Sequence, residues 1–344
     1  MEFAFIADIH FSRYGQDKIE DEFNLPERLH SIKTALYEVT QYCKENGIHS
    51  VVIGGDTLHG KSVIYAIAQD LMLDFFEDHP DLDFYVIDGN HDLSGKSETA
   101  VSALRPLDNV SNVTWIGHKD FSFHLKSPGV DIMFIPYSHM TPMVVKANTA
   151  KILISHFGLN EGVLNSGLSI VSDVALKDLI GRYELVLLGH YHKPQEIITK
   201  DLRLYYVGSL IQLDWGEKGD EKRFLIINSD TLDVQSIPLT QYKKHIEFEL
   251  TSDNKDEVFE LARQAKQDGD HIKVIMKEKV DLTSVAGEFN VIDKTEQDIT
   301  DRGISSSMSR DDILKRYLEI KQIPEDQIEE YFKIGSDLIN SCEI

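Results

Sequence analysis

Five short apolar runs, each followed at once by a loop of Asp, Asn and His, constrain this chain more than any other feature. The runs are Phe3-Ala4-Phe5-Ile6-Ala7, Val51-Val52-Ile53-Gly54, Phe84-Tyr85-Val86-Ile87, Lys151-Ile152-Leu153-Ile154 and Leu185-Val186-Leu187-Leu188. Helical patterns separate the early ones. Between Pro26 and Asn46, Leu29, Ile32, Leu36, Val39 and Cys43 repeat at helical spacing, with Pro early and Gly47 as a stop. A second helix is predicted over Val63 to Phe76. Continuous apolar strands with interposed helices are strands covered on both faces. Residues 112–136 and 195–238 read as β-meanders and suggest a second sheet, so the predicted architecture is a two-sheet α/β sandwich.

After each strand comes a polar cluster: Asp8-Ile9-His10, Gly55-Asp56-Thr57-Leu58-His59, Gly89-Asn90-His91-Asp92, Ser155-His156-Phe157-Gly158 and Gly189-His190-Tyr191-His192. Ligands of open α/β sheets sit beyond the carboxyl ends of the strands, so these loops can converge. One histidine after a strand is most simply a satisfied core residue. Six of the chain's 14 histidines in these five loops are a different matter. Asp, Asn and His offer oxygen and imidazole nitrogen but no thiolate, which favours Mn²⁺, Fe²⁺ or Zn²⁺ over an all-oxygen Mg²⁺ site. Asp-x-His and His-x-His on an extended segment would put alternate side chains on one side. Seven such ligands suit two ions sharing a bridging carboxylate, an arrangement that activates a water and neutralises phosphoryl charge.

This ordered set resembles the signature of the calcineurin-like metallophosphoesterases and, within them, the SbcD-type nuclease subunits of double-strand-break repair. Three features point to the latter: His59 three residues after Asp56, a separate α/β pattern after residue 243, and a helical tail. The resemblance implies that Asp8, His10, Asp56 and His192 hold a first metal and that Asp56 bridges to a second on Asn90, His156 and His190. It implies two Mn²⁺, with Mg²⁺ or another divalent ion as a substitute. His91 would protonate the leaving oxygen, oriented by Asp92. His59 would help to position the phosphate or distinguish the nuclease modes, although a histidine there could be a helix-start residue without catalytic role. The Gly-Ser turn within the loop from Tyr205 to Leu213 resembles the family's turn after the last ligand, but suggests no role.

The implied organisation is a nuclease domain over residues 1–242, a small α/β capping domain over 243–296, a polar linker over 297–309 and a helical tail over 310–344. In the tail, Ile313, Leu314, Tyr317 and Leu318 form one stripe, and Ile328, Tyr331, Phe332, Leu338 and Ile339 form another, with Pro324 between them. Such stripes fold onto their own core or dock on a partner. The expected partners are DNA, an SbcC-type coiled-coil ATPase and a second copy of the chain. Ile64, Ile67, Leu71 and Phe75 are the candidate dimer stripe.

Charge opposes part of this picture. The 35 Lys and Arg against 58 Asp and Glu give a net charge of −23, which argues against gripping nucleic acid through bulk charge. Basic residues such as Lys61, Lys96, Arg105, Lys193, Lys243 and Lys244 are scattered, so the ATPase is expected to supply most of the DNA grip. Cys43 and Cys342 lie too far apart in sequence to suggest a disulfide framework. With no signal-like start and no spanning apolar run, the expected location is the cytoplasm of a bacterium or of a phage-infected cell, away from membranes. The leading expectation is therefore an exonuclease and endonuclease subunit. A phosphomonoesterase or cyclic-nucleotide phosphodiesterase is the alternative, and a non-catalytic scaffold is weakest because all seven ligand positions are intact.

Overall fold

The computed structural model describes residues 1–13, 19–20, 25–60, 63–95, 99–167, 171–285, 287–294, 309–321 and 323–341. Lys61, Lys96, Cys342 and, apart from Ser309, the predicted linker lie outside them. Contacts divide the chain into two compact units, Met1–His245 and Ile246–Ile344.

The first unit is built on two six-stranded sheets. One runs in the order β14 (Val234–Pro238), β13 (Arg223–Asn228), β1 (Glu2–Ile6), β4 (Ser50–Ile53), β5 (Asp83–Ile87), β6 (Val113–Ile116). The other runs β11 (Gln195–Ile198), β12 (Arg203–Tyr206), β10 (Leu185–Gly189), β9 (Ile152–His156), β8 (Val130–Ile135), β7 (Phe123–Ser127). Strands β1, β4, β5 and β6 are parallel, as are β12, β10, β9 and β8. A two-stranded ribbon, β2 (Ile19–Glu20) with β3 (Leu25–Pro26), precedes α1 (Glu27–Glu45).

Strand alternation sorts the core into layers. On β1, Phe3 and Phe5 face the second sheet and meet Ile132, Phe134, Ile152 and Leu187. Ala4 and Ile6 face the other way, against Leu29, Ile32, Leu36, Val39 and Cys43 of α1. All five α1 residues of the predicted stripe are buried. The outer face of the second sheet is covered by α3 (Thr141–Ala147) and α4 (Leu176–Leu179) through Val145 and Leu179. Both sheets thus bury both faces, which is why their central strands read as unbroken apolar runs.

One expectation changes. Neither predicted meander forms a second sheet by itself: β6 joins the first sheet and β7–β8 the second, while β11–β12 join the second and β13–β14 the first. Alternation reveals a half-buried strand but not its partner. The proposed dimer stripe lies on α2 (Ala66–Glu77) and the segment before it. There Phe75 is part of the chain's own core, and Ile64, Ile67 and Leu71 pack half-buried against that core.

In the second unit, β15 (His245–Leu250), β16 (His271–Met276) and β17 (Val291–Asp293) form a sheet with α5 (Lys255–Gln267) packed on β16. Val258, Ala262 and Ala265 of α5 are buried. Helices α6 (Arg310–Ile320) and α7 (Glu325–Ser341) pack on each other. Ser309 caps α6 by accepting from Asp312 N–H at 3.1 Å and so belongs to the helix rather than to a linker. No described helix is long and apolar enough to cross a membrane.

Candidate metal centre

The carboxyl ends of β1, β4, β5, β9 and β10 bring all five loops to one place. The sheets approach closely there. A Cβ on Gly189 would lie 2.5 Å from the Gly54 carbonyl oxygen and 2.9 Å from the Ala7 Cβ, so only glycine fits ahead of His190. The His156 Nδ1 binds the Gly54 carbonyl at 2.8 Å, joining the two sheets and aiming Nε2 inward.

Asp8, His10, Asp56 and His190 have φ of 51°, 55°, 52° and 95°. Non-glycine residues rarely occupy this left-handed region, at a cost of about 1–3 kcal/mol each. The extended-segment argument for Asp-x-His and His-x-His is therefore corrected. Asp8, His10 and His190 reach the site because the chain turns left-handed as it leaves the strand, and backbone bonds hold it so. Asp8 N–H donates to the Gly55 carbonyl at 3.0 Å, His10 N–H to the Asp56 carbonyl at 2.9 Å, and His190 N–H to the Asp8 carboxylate at 3.0 Å.

All seven expected ligands meet. His10 Nε2 is 3.1 Å from His192 Nε2, 3.9 Å from Asp8 Oδ1 and 3.7 Å from Asp56 Oδ2. On the other side, Asp56 Oδ2 is 3.3 Å from His156 Nε2, and Asn90 Oδ1 is 3.1 Å from His156 Nε2 and 2.8 Å from His190 Nδ1. Asp56 is thus the carboxylate common to both groups. Donor atoms about 2.0–2.2 Å from one ion are roughly 3–4 Å from each other, which is the spacing found here. The residues fit a pair of divalent ions.

The charges of the cluster conflict without a cation. Burial raises the Asp8 carboxyl to about 6, against the opposing effect of His156 and His192. Burial would raise Asp56 too, but His156, with His10 and His91, outweighs it and holds Asp56 well below the usual carboxylate range. Burial pushes the His10 imidazole well down and that of His190 to about 3. For His156 burial acts downward, but Asp56 and Asp8 raise it to about 9. Two buried carboxylates among buried imidazoles call for positive charge, which a divalent ion would supply.

The three expected catalytic residues take distinct places. His91 is half-buried; its backbone N–H donates to Asp56 Oδ1 at 2.7 Å, which sets it beside the carboxylate common to both groups. His59 stacks on the His91 ring at 4.6 Å between centroids and 18° between planes. Its Nδ1 lies 2.9 Å from His10 Nδ1. If Nε2 of His10 bound a metal, its ring proton would sit on Nδ1 and be donated to His59. Asp92, fully buried, accepts from Gly89 N–H at 2.8 Å, Leu58 N–H at 2.8 Å and Thr57 N–H at 3.3 Å. It ties the loop after β5, which carries His91, to the loop after β4.

Two buried hubs escaped the sequence reading. Asp88 accepts from Ser102 Oγ at 2.7 Å, Trp115 Nε1 at 3.0 Å and His118 N–H at 2.7 Å, and braces the base of the β5 loop. Glu217 Oε1 lies 2.7 Å from His192 Nδ1, and Oε2 lies 2.7 Å from the fully buried Lys222 Nζ. Nothing local marks one Glu among 58 acidic residues; the only hint was the Gly208-Ser209 turn, whose serine joins this hub.

A family model for calcineurin-like phosphoesterases matches residues 1–194, more than half of the chain, and the chain belongs to that family. It is a metal-dependent phosphoester hydrolase whose family works with a dinuclear divalent centre. Similar solved structures include an archaeal phosphodiesterase at 12% identity, covering 70% of this chain and 100% of that one, with a TM-score of 0.38. A 5′-nucleotidase candidate from Staphylococcus aureus is 14% identical, covering 76% and 58%, with a TM-score of 0.48. A dimetal phosphatase from Danio rerio is 11% identical, covering 70% and 99%, with a TM-score of 0.41.

Proposed function

We propose that this chain is the nuclease subunit of a double-strand-break repair complex, a Mn²⁺-dependent DNA exonuclease and endonuclease acting with an SbcC-type coiled-coil ATPase. The supporting observation is the second compact unit, Ile246–Ile344, beyond the phosphoester-hydrolysing one. Hydrolysis of a small ester needs only the first unit. In the second, Tyr317, Ile320, Tyr331 and Ile334 are exposed on α6 and α7. Apolar surface of this kind is the usual mark of an interaction site, and here the partner is the ATPase.

Asp8, His10, Asp56 and His192 would hold one ion and Asp56, Asn90, His156 and His190 the other; the pair would supply water activation and neutralisation of phosphoryl charge. His91 gives its proton to the leaving sugar oxygen. Its half-buried position suits a group that must meet substrate. His59, stacked on its ring, keeps the ring upright. A cavity of about 310 Å³ beside His190, lined by Tyr137, His139, Phe157, Val171 and Tyr191, favours a second reading, hydrolysis of a small phosphomonoester or cyclic nucleotide.

The deciding experiment incubates the protein with labelled linear duplex DNA, with and without Mn²⁺, beside a cyclic nucleotide and a p-nitrophenyl phosphoester. Mn²⁺-dependent DNA cleavage is expected. Turnover of the small esters alone selects the second reading. A chain ending at Asp301 is expected to cleave simple substrates but not to co-purify with the ATPase.

A further inference from the structure

We propose that Glu217, clamped by Lys222, is a positioning residue that selects the metal-binding tautomer of His192. The inference rests on the two-metal reading above. His192 uses both ring nitrogens: Nε2 faces His10 Nε2 at 3.1 Å and Asp8 Oδ1 at 3.8 Å, while Nδ1 faces Glu217 Oε1 at 2.7 Å. A neutral imidazole carries one ring proton. If that proton is on Nδ1 and donated to Glu217, the Nε2 lone pair is free for a cation. If it is on Nε2, His192 is no ligand at all.

The surroundings of Glu217 leave it a single arrangement. Oε2 is met by the Lys222 ammonium at 2.7 Å, by Leu213 N–H at 3.1 Å and by the Ser209 hydroxyl at 2.7 Å. Two of these groups, the ammonium and the amide, can only donate, so Oε2 must accept. Lys222 is itself fixed, donating also to the His192 carbonyl at 3.0 Å and to Ser209 Oγ at 2.9 Å. Ser209 N–H donates to the same carbonyl at 3.1 Å. The hub therefore holds His192 by its backbone and by its ring together. It starts from the Gly208-Ser209 turn and the segment Trp215–Lys222, on no strand that carries a ligand.

This geometry makes Glu217→Gln the informative variant. Its amide must set oxygen where Oε2 was, because Lys222 and Leu213 donate there. The amide NH₂ then occupies the Oε1 position and donates to His192 Nδ1, which drives the ring proton to Nε2. A near-isosteric change should thus disable the ligand more severely than Glu217→Ala, which leaves the ring free to choose. If Glu217 only filled space, the order would be reversed.

The test is calorimetric titration of the metal-free proteins with Mn²⁺ alone, joined to nitrogen-15 NMR of His192. Wild type is expected to take up two ions. Glu217→Ala should weaken one of them about 10–100-fold, the usual effect of removing a carboxylate behind a metal-bound histidine, and Glu217→Gln should weaken the same ion further. NMR of the metal-free wild type, titrated to the neutral imidazole, should show the proton on Nδ1, and that measurement stands even if a variant fails to fold. Two ions in wild type with Gln no worse than Ala, or a proton on Nε2 in wild type, overturns the tautomer assignment alone. No Mn²⁺ uptake by wild type overturns the two-metal reading first.

Discussion

Gly89→Ala should disable the centre without touching a ligand side chain. Gly89 has no need of the left-handed region, so alanine suits its backbone, and the whole effect lies in one methyl group. A Cβ there would stand 2.2 Å from both the backbone N and the Oδ1 of Asp56, and real Cβ contacts essentially never fall below 3.0 Å. The loop after β5 and Asp56 must therefore separate by at least 3.0 − 2.2 = 0.8 Å. Because one of the atoms met is backbone, no side-chain rotation relieves the clash. The movement falls on the Asp56 carboxylate and on the His91 N–H that binds it at 2.7 Å. Catalytic constellations tolerate displacements of about 0.5 Å, and a misplacement near 1 Å costs on the order of 10²-fold in rate. Overpacking adds roughly 1–3 kcal/mol of destabilisation. Mn²⁺-dependent hydrolysis of a p-nitrophenyl phosphodiester should fall about 10²-fold, with β-sheet circular dichroism unchanged. Gly95→Ala, where a Cβ meets nothing within 4 Å, is the control and should stay at the wild-type rate. Equal rates for the two variants would refute the argument.

Asp56→Asn is expected to abolish hydrolysis and reduce ion uptake, as counted by native mass spectrometry, while the strands beneath stay folded. His91→Ser should lose about 10²–10⁴-fold in turnover, the range of general acid catalysis, and keep two ions; loss of an ion would make His91 a ligand. Asp92→Ala leaves three backbone N–H groups without their acceptor, at about 1–3 kcal/mol for each buried one, which denaturant melts of the metal-free protein should register as several kcal/mol. Cys43, buried under the first sheet, has its thiol pushed by burial from 9.0 to about 12. The folded chain keeps the proton that the unfolded chain releases, so this contribution is complete below pH 9 and is lost as pH rises from 9 to 12. The stability advantage of wild type over Cys43→Ala should shrink by on the order of 1.4 kcal/mol per pH unit in that window, and a constant difference would contradict it.

Periodicity carried the reading of the core because burial leaves a local record. Leu29 to Cys43 repeat at helical spacing, and all five positions lie against one sheet face. The same record cannot say which body a stripe meets. Ile64, Ile67 and Leu71 pack against their own core and stay only half-buried there. Nor does alternation disclose a strand's neighbour, hence the division of both meanders between sheets. The loop ligands were legible because parallel strands carry their following loops to one edge. What escaped was the support behind them. The left-handed turns at Asp8 and His10 carry no glycine to announce them, and Asp92 and Glu217 act through partners 34 and 25 residues away. Pairings at that separation are set by tertiary packing and leave no spacing to read.

The charge of the chain then takes on a definite meaning. At −23 overall, the protein repels a phosphodiester, and the buried Asp8 and Asp56 deepen that repulsion where the substrate must come. Two divalent ions contribute +4 against the −2 of these carboxylates, while Asn90 and the neutral imidazoles contribute nothing, so the loaded centre stands near +2. Surface carboxylates farther off than about 8–10 Å are screened at physiological salt, whereas charge at the mouth of a buried cluster is screened much less. Substrate attraction is thus confined to the one point where chemistry occurs, and it exists only in the loaded protein. Such a chain gains nothing from a basic surface of its own. Under the nuclease function we propose, a partner would supply the wider grip on DNA, and the acidic body would discourage any phosphate that does not reach the ions.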